Sequence, residues 1–266
     1  YCFANNMAWR RMHDTRITRF KDFYISCSFD GGIYFTFPAG GGDHAEVLGE
    51  MKRFAEANGS PLVIGSVTPD LFPVFKENFP DGSYEITCDE GDWDYVYNAS
   101  DLAELKGKKY HGKRNHLKKL LDGEYSYEPL TEKDFDDCIT YAVGTYNRSD
   151  AYDDRSKVCE QFAINTYFEN FHALGLSGGV LRVGGNVAAF TIGERINSDT
   201  LGVHIEKAEA SVEGAYPAIN YLFARSASGG FSYINREEDL GIEGLRKAKR
   251  SYHPAFMIEK HTVIFK

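Results

Sequence analysis

No stretch of this 266-residue sequence approaches the ~18 consecutive apolar residues that a membrane-spanning helix needs, so no transmembrane segment is expected. No Cys-x-x-Cys pair occurs. The five cysteines (Cys2, Cys27, Cys88, Cys138 and Cys159) are odd in number and far apart, which excludes a zinc ribbon or a redox motif and leaves five reduced, mostly buried thiols of a cytoplasmic protein. The histidines are scattered, and no His/Cys/carboxylate spacing matches a known ligand set, so no metal is expected. No signal peptide is visible, although the chain opens on Tyr1 rather than Met and some N-terminal sequence is expected to be missing. Disorder is excluded by composition: 42% of residues are apolar and 14% aromatic, enough for a dense core.

Acid is missing from one segment. Between Leu105 and Leu120 stand seven lysines and arginines with no Asp or Glu, on a protein whose formal charge is -9. A positive patch on an acidic chain attracts a phosphate, a nucleic-acid backbone or a phospholipid headgroup. Gly107 and Gly112 keep the cations from lining up on one helical face. Tyr110, His111, Lys113, Arg114 and Asn115 add directional groups, so we expect them to contact substrate.

Strand and helix signals alternate. Asp30-Gly31-Gly32 between aromatic runs at 22–29 and 33–38 predicts a hairpin. Helices are expected at 3–11, 43–58, 69–79, from Ser100, and at 113–121; strands at 61–67, 83–87 and 94–98. The second half repeats the order. It has a strand at 125–130, helices at 131–146 and 155–174, and strands at 179–183, 187–196 and 200–209. Then come a helix at 213–228, a strand at 231–235, a helix at 241–252 and a strand at 255–265. This order predicts a layered α+β fold and a structural duplication, divided at Asp122-Gly123-Glu124 into residues 1–124 and 125–266.

Two polar constellations stand out. Period-two alternation along 200–209 predicts His204 and Glu206 on one strand face, where they could act as a general base and its orienter. Arg236-Glu237-Glu238-Asp239 precedes a helix carrying Gly241, Gly244, Arg246 and Lys247, whose start suits an anionic or carbonyl oxygen. Between them, Gly214-Ala215-Tyr216-Pro217-Ala218-Ile219-Asn220 opens a helix where a donor's phosphate or carbonyl could dock. Catalytic roles are therefore expected for His204, Glu206 and Asp239. Substrate contacts are expected for Tyr216, Asn220, Arg236, Glu238, Arg246 and Lys247, beside the basic segment.

Several blocks resemble the C-terminal catalytic domain of phosphatidylglycerol lysyltransferases. They are Tyr110-His111-Gly112-Lys113-Arg114-Asn115-His116, Phe190-Thr191-Ile192-Gly193-Glu194, His204-Ile205-Glu206-Lys207-Ala208, Gly214-Ala215-Tyr216 and the run from Tyr233 to Phe256. The resemblance spans nearly the whole chain. It implies two acyl-CoA N-acyltransferase-like domains in tandem, each a mixed sheet flanked by helices. It also implies kinship with peptidoglycan aminoacyltransferases that draw on aminoacyl-tRNA. The lipid lysyltransferases carry a large membrane domain that this sequence does not show. The expected coenzyme A loop reads Ser211-Val212-Glu213-Gly214-Ala215-Tyr216, where Glu213 opposes a pyrophosphate.

The resulting expectation is an acyl or aminoacyl transferase that needs no cofactor. Its donor would carry phosphate (aminoacyl-tRNA or an acyl-CoA), and its acceptor would be a small molecule or a lipid headgroup. A coenzyme A-dependent N-acetyltransferase and a non-catalytic RNA or polyanion binding module are the alternatives.

Overall fold

The computed structural model describes residues 2–146 and 154–266. The first half runs α1 (Phe3–Ala8), β1 (Arg16–Phe20), β2 (Phe23–Ser28), β3 (Tyr34–Thr36), β4 (Ala39–Gly40), α2 (His44–Ala57), β5 (Val63–Val67), α3 (Phe72–Asn78), β6 (Tyr84–Cys88), β7 (Asp94–Asn98), α4 (Ala99–Glu104) and α5 (His111–Leu121). The second runs β8 (Tyr125–Pro129), α6 (Glu132–Tyr146), α7 (Asp154–Glu169), β9 (Leu176–Val183), β10 (Asn186–Arg195), β11 (Thr200–Ala208), α8 (Ala215–Ala227), β12 (Tyr233–Asn235), α9 (Glu243–Arg250), β13 (Phe256–Ile258) and β14 (His261–Phe265).

These strands build two mixed sheets, one ordered β1-β2-β3-β5-β14-β6 with β4 on β2, the other β13-β7-β12-β11-β10-β9-β8. Each sheet contains a parallel pair, β3 with β5 and β11 with β12, flanked by antiparallel neighbours. The duplication implied by element order is thus matched in strand direction. The halves also trade strands. β7 leaves the first half to lie between β12 and β13, and β14 returns from the chain's end to lie between β5 and β6. A cut after residue 124 divides the helices by sheet less cleanly than it divides the sequence, because α4 and α5 pack on the second sheet through α8.

Burial follows from this arrangement. Val47, Leu48 and Met51 of α2 and Phe75 of α3 cover the first sheet at Ile25, Ile64 and Val263. The second sheet is covered on both faces. α4, α5 and α8 pack on one side around Leu102, Leu117, Ile219 and Phe223. α1, α6 and α7 pack on the other around Ala4, Cys138, Tyr167 and Phe168. Coverage on both faces accounts for the nearly continuous apolar character of β10 and β11. No helix among the described residues is long and apolar enough to cross a membrane.

Two expectations change. The strand expected over 255–265 is two strands in different sheets, because the chain crosses between them at Glu259 and Lys260. β1 was not foreseen: it is an edge strand of Arg, Thr and Ile with both faces partly exposed, so it lacks an apolar alternation to announce it.

Gly214 sets the contact between α5 and α8. It holds φ +90° at the start of α8, and a Cβ there would lie 2.5 Å from the backbone oxygen of His116. Gly214→Ala is therefore expected to lower stability by about 1–3 kcal/mol from backbone strain plus the forced separation of the helices, read as a fall in the urea midpoint at unchanged slope.

Candidate functional site

The site begins where the second sheet divides. β11 and β12 pair in parallel only at Thr200–Tyr233, Leu201–Ile234 and Gly202–Asn235. Beyond Gly202, β11 stays with β10, while the chain after β12 stays with β7 through Arg236 N–H to Tyr95 O and Tyr95 N–H to Glu237 O. Among the described residues, the backbone edge of β11 from Val203 onward therefore has no strand partner on the side facing Arg236.

A β-bulge lies at the same level. Ile192 opposes Ile205 and Gly193 opposes Val203, so His204 is the extra residue. Gly193 makes room for this, since a Cβ there would lie 2.3 Å from the Gly202 oxygen. A bulge places two consecutive side chains on one face and inverts the alternation that follows. His204 and Ile205 both pack toward α7, against Tyr167. Glu206 then turns to α8, where Asn220 Nδ2 donates to it at 3.3 Å. The expectation that His204 and Glu206 share a face is thus corrected: they lie on opposite sides of the sheet.

On the α8 side, a polar cluster fills the gap between the diverging strands. Arg236 Nη2 donates to Glu206 Oε1 at 2.7 Å, in a pair whose side chains are 12% and 13% exposed. The guanidinium lies 5.0 Å from the centre of the Tyr252 ring and 5.7 Å from that of Tyr97. Lys113 Nζ sits 3.9 Å from the same Tyr252 ring. Burial, and then the neighbouring Arg236, push Lys113 down to about 8, against a smaller opposing pull from Glu206. Two buried atoms of this cluster, Arg236 Nη1 and Asn220 Oδ1, have no hydrogen-bond partner among the described residues. A buried unpaired donor beside a buried unpaired acceptor is costly in a folded protein unless a ligand uses them.

The segment after β12 is held by one lysine. Lys249 Nζ donates to the carbonyls of Arg236, Glu237 and Glu238, the second at 3.1 Å. Burial and the nearby Arg236 push it down to about 8. Glu237 and Leu240 take positive φ in this turn. Asp239 closes it: Arg246 donates to its carboxylate through Nε (2.7 Å) and Nη2 (3.0 Å), Tyr95 OH at 2.6 Å and the Gly241 N–H at 2.9 Å. Burial alone would raise this carboxyl, but these donors hold it at about 2. Glu238 accepts from Lys260 at 3.1 Å, and Lys260 also meets Asp94 at 2.6 Å.

On the α7 side, His204 is enclosed. Its Nδ1 is 2.7 Å from Glu237 Oε1, and its Nε2 is 3.2 Å from Glu194 Oε1 and 3.4 Å from Cys2 Sγ. Tyr167 stacks on the ring with centroids 5.7 Å apart. Burial pulls the imidazole down, but Glu237, Cys2 and Glu194 hold it well above its ordinary value.

Of the residues nominated from sequence, Lys113, Glu206, Asn220 and Arg236 come together. Tyr110 is buried and donates to Tyr252 O at 2.9 Å, while Arg114 donates to the carbonyls of Leu105 and Gly107, so both serve the fold. His111 and Asn115 pair with each other on the exposed face of α5. Tyr216 is half exposed at the start of α8, and Lys247 is exposed on α9. Asp239 and Arg246 are locked together and have no free geometry for proton transfer; Glu238 is committed to Lys260. The basic segment is also less free than its composition implies, since Lys106, Lys109, Lys118 and Lys119 meet Glu104, Asp101, Asp122 and Glu213. Tyr252, Lys249, Glu194 and Cys2 were not nominated. Glu194, Lys249 and Tyr252 stand in blocks that carry the resemblance; Cys2 lies outside them and has no local signal.

The family described as phosphatidylglycerol lysyltransferase, C-terminal, matches residues 1–264. No curated protein matches the sequence. Among solved structures, a conserved protein of unknown function from Bacteroides thetaiotaomicron is 36% identical with a TM-score of 0.89, covering 99% of this chain and 90% of that one. L-PGS from Bacillus licheniformis is 13% identical with a TM-score of 0.71, over 97% and 86%. FemX is 9% identical with a TM-score of 0.68, over 98% and 91%. These last two share the fold, two acyltransferase-like units in tandem.

The Asp239 cluster predicts an acid limit. Its folded-state carboxyl lies below the unfolded one, so its contribution is present above the ordinary value of 3.8 and is lost as pH falls toward about 2. Asp239→Asn should cost about 2 kcal/mol at neutral pH and shrink as pH falls through that window. Lys249→Met, which strands three carbonyls, should cost on the order of 3 kcal/mol in urea unfolding.

Proposed function

The chain belongs to the phosphatidylglycerol lysyltransferase C-terminal family, whose members and fold neighbours are acyl and aminoacyl transferases, and from that premise we propose that it moves an aminoacyl group from aminoacyl-tRNA to a hydroxyl or amine acceptor at the gap between β11 and β12. The observation that carries this reading is the pair of unpartnered buried atoms, Arg236 Nη1 and Asn220 Oδ1, on either side of Glu206. An aminoacyl group offers both complements. Its ammonium suits the Glu206 carboxylate and Asn220 Oδ1, and its carbonyl or a neighbouring phosphate suits Arg236 and Lys113.

In the transfer step the acceptor atom attacks the ester carbonyl carbon. The new acyl bond forms as the ester C–O bond breaks, and the departing ribose hydroxyl takes up the proton that the acceptor gives up. The pairing of β11 with β12 ends at Gly202, and a backbone N–H on the opened edge would be placed to receive the oxyanion, the kind of fixed donor that supplies large rate factors. The remaining cluster positions the reactants. The acceptor is a lipid headgroup or a small molecule.

Coenzyme A is disfavoured by the loop before α8. Glu209 Oε1 accepts from the Ser211 N–H at 3.2 Å and from Ser211 Oγ at 2.9 Å, and Glu213 meets Lys119. Ser211 and Lys119, donors that a pyrophosphate could use there, are instead held by carboxylates that repel it.

Thermal shift and single-turnover transfer with aminoacyl-tRNA, N-acetyl-aminoacyl-tRNA and acetyl-CoA test the proposal. Only the free-amino donor should react well, and Glu206→Gln should erase the preference. Equal use of the N-acetylated donor, or turnover of acetyl-CoA alone, would overturn it. A pH series adds a check. Lys113 loses its charge as pH rises through about 8, so donor affinity should fall there. Lys113→Arg should flatten the profile, and Lys113→Ala should weaken binding at neutral pH by roughly 10-fold or more.

A further inference from the structure

The enclosed cluster on the α7 face is not used by the transfer chemistry. Cys2 Sγ, Glu194 Oε1 and His204 Nε2 lie within 4.8 Å of one another and come from three elements: the residue before α1, the end of β10 and the bulge of β11. His204 Nε2 is 3.4 Å from the sulfur and 3.2 Å from the carboxylate oxygen. A tetrahedral zinc site, with bonds of about 2.3 Å to sulfur and about 2.0–2.2 Å to nitrogen and oxygen, spaces its ligand atoms by roughly 3.3–3.6 Å. Both separations from His204 Nε2 match that spacing, while Cys2 Sγ and Glu194 Oε1 are in direct hydrogen-bond contact and would move apart to admit an ion between them.

The surroundings fit as well. Glu237 Oε1 takes the other ring nitrogen, Nδ1, at 2.7 Å, which turns Nε2 toward the sulfur and Glu194. Glu237 is itself fixed by Asn5 Nδ2 at 3.0 Å, and Asn5 by Tyr167 OH at 3.0 Å. An outer carboxylate on a ligating histidine is the usual support of a zinc centre. The His204 side chain is 1% exposed and that of Glu194 12%, so little water competes for the site. We propose that Cys2, Glu194 and His204 bind a zinc-class divalent cation, with Glu237 orienting the histidine and a fourth position left for water or a further ligand. The ion would fasten the start of α1 to β10 and β11, on the opposite face of the sheet from Glu206 and Arg236.

The test uses untagged full chain, stripped with chelator and titrated with Zn2+ and, separately, Co2+. The expected result is uptake of one equivalent, a rise in Tm, and a cobalt thiolate charge-transfer band. Cys2→Ser should abolish that band, and Glu237→Gln, which leaves all three ligands in place, should weaken affinity about 10- to 100-fold. Cys2→Ser and Glu194→Gln keep side-chain shape, so loss of folding would not mimic loss of the metal. Absence of stoichiometric uptake would overturn the proposal, as would uptake that shows no thiolate band and is unchanged in Cys2→Ser.

Discussion

The ammonium of Lys249 holds the backbone on which the candidate chemistry rests. Three successive carbonyls, from Arg236 to Glu238, point at one buried nitrogen. Four charged residues in a row would otherwise repel or splay into solvent. With their carbonyls gathered on Lys249, the side chains leave in different directions. Arg236 reaches Glu206, Glu237 reaches His204, Glu238 reaches Lys260, and Asp239 takes Arg246. Positive φ at Glu237 is the local strain that this arrangement sustains. Each acid in the run has a cation or an imidazole of its own, which is why so much charge is tolerated so close to the core.

The bulge at His204 does complementary work on the facing strand. A regular β11 would direct His204 and Glu206 into one compartment. The extra residue sends the histidine toward α7 and the glutamate toward α8, so the sheet separates two polar clusters that sit almost adjacent in sequence. The same region is where β11 and β12 part. Where a sheet divides its strands lose a backbone partner, and here the divergence is bridged by the side-chain pair of Arg236 and Glu206.

The fold was largely legible because apolar periodicity and turn residues report on burial, which is what most of this chain does. The layered architecture, the duplication and most elements could be read that way. Lys113 and Arg236 are legible because each stands in a polar run, Glu206 because it is a carboxylate on an apolar strand, and Asn220 because it is a polar residue in the first turns of an apolar helix. Facing direction was less legible. Alternation carries no trace of a bulge, so by itself it puts His204 on the face of Glu206. Lys249 resembles any lysine of a charged helix face, and its burial depends on a turn that forms only when the chain folds back. Cys2 lies 192 residues from Glu194 and 202 from His204, beyond the reach of any spacing rule. The basic segment looks like a free patch in sequence because the acids that pair with it are supplied from outside it, at Asp101, Glu104, Asp122 and Glu213.

The exchange of β7 and β14 means that neither half completes its own sheet. β7 fills the interior place between β12 and β13, and β14 the one between β5 and β6. Pulling the halves apart would therefore open a gap inside each sheet rather than uncover a finished surface. The two cores are tied by backbone hydrogen bonds, so loss of one sheet removes a central strand from the other.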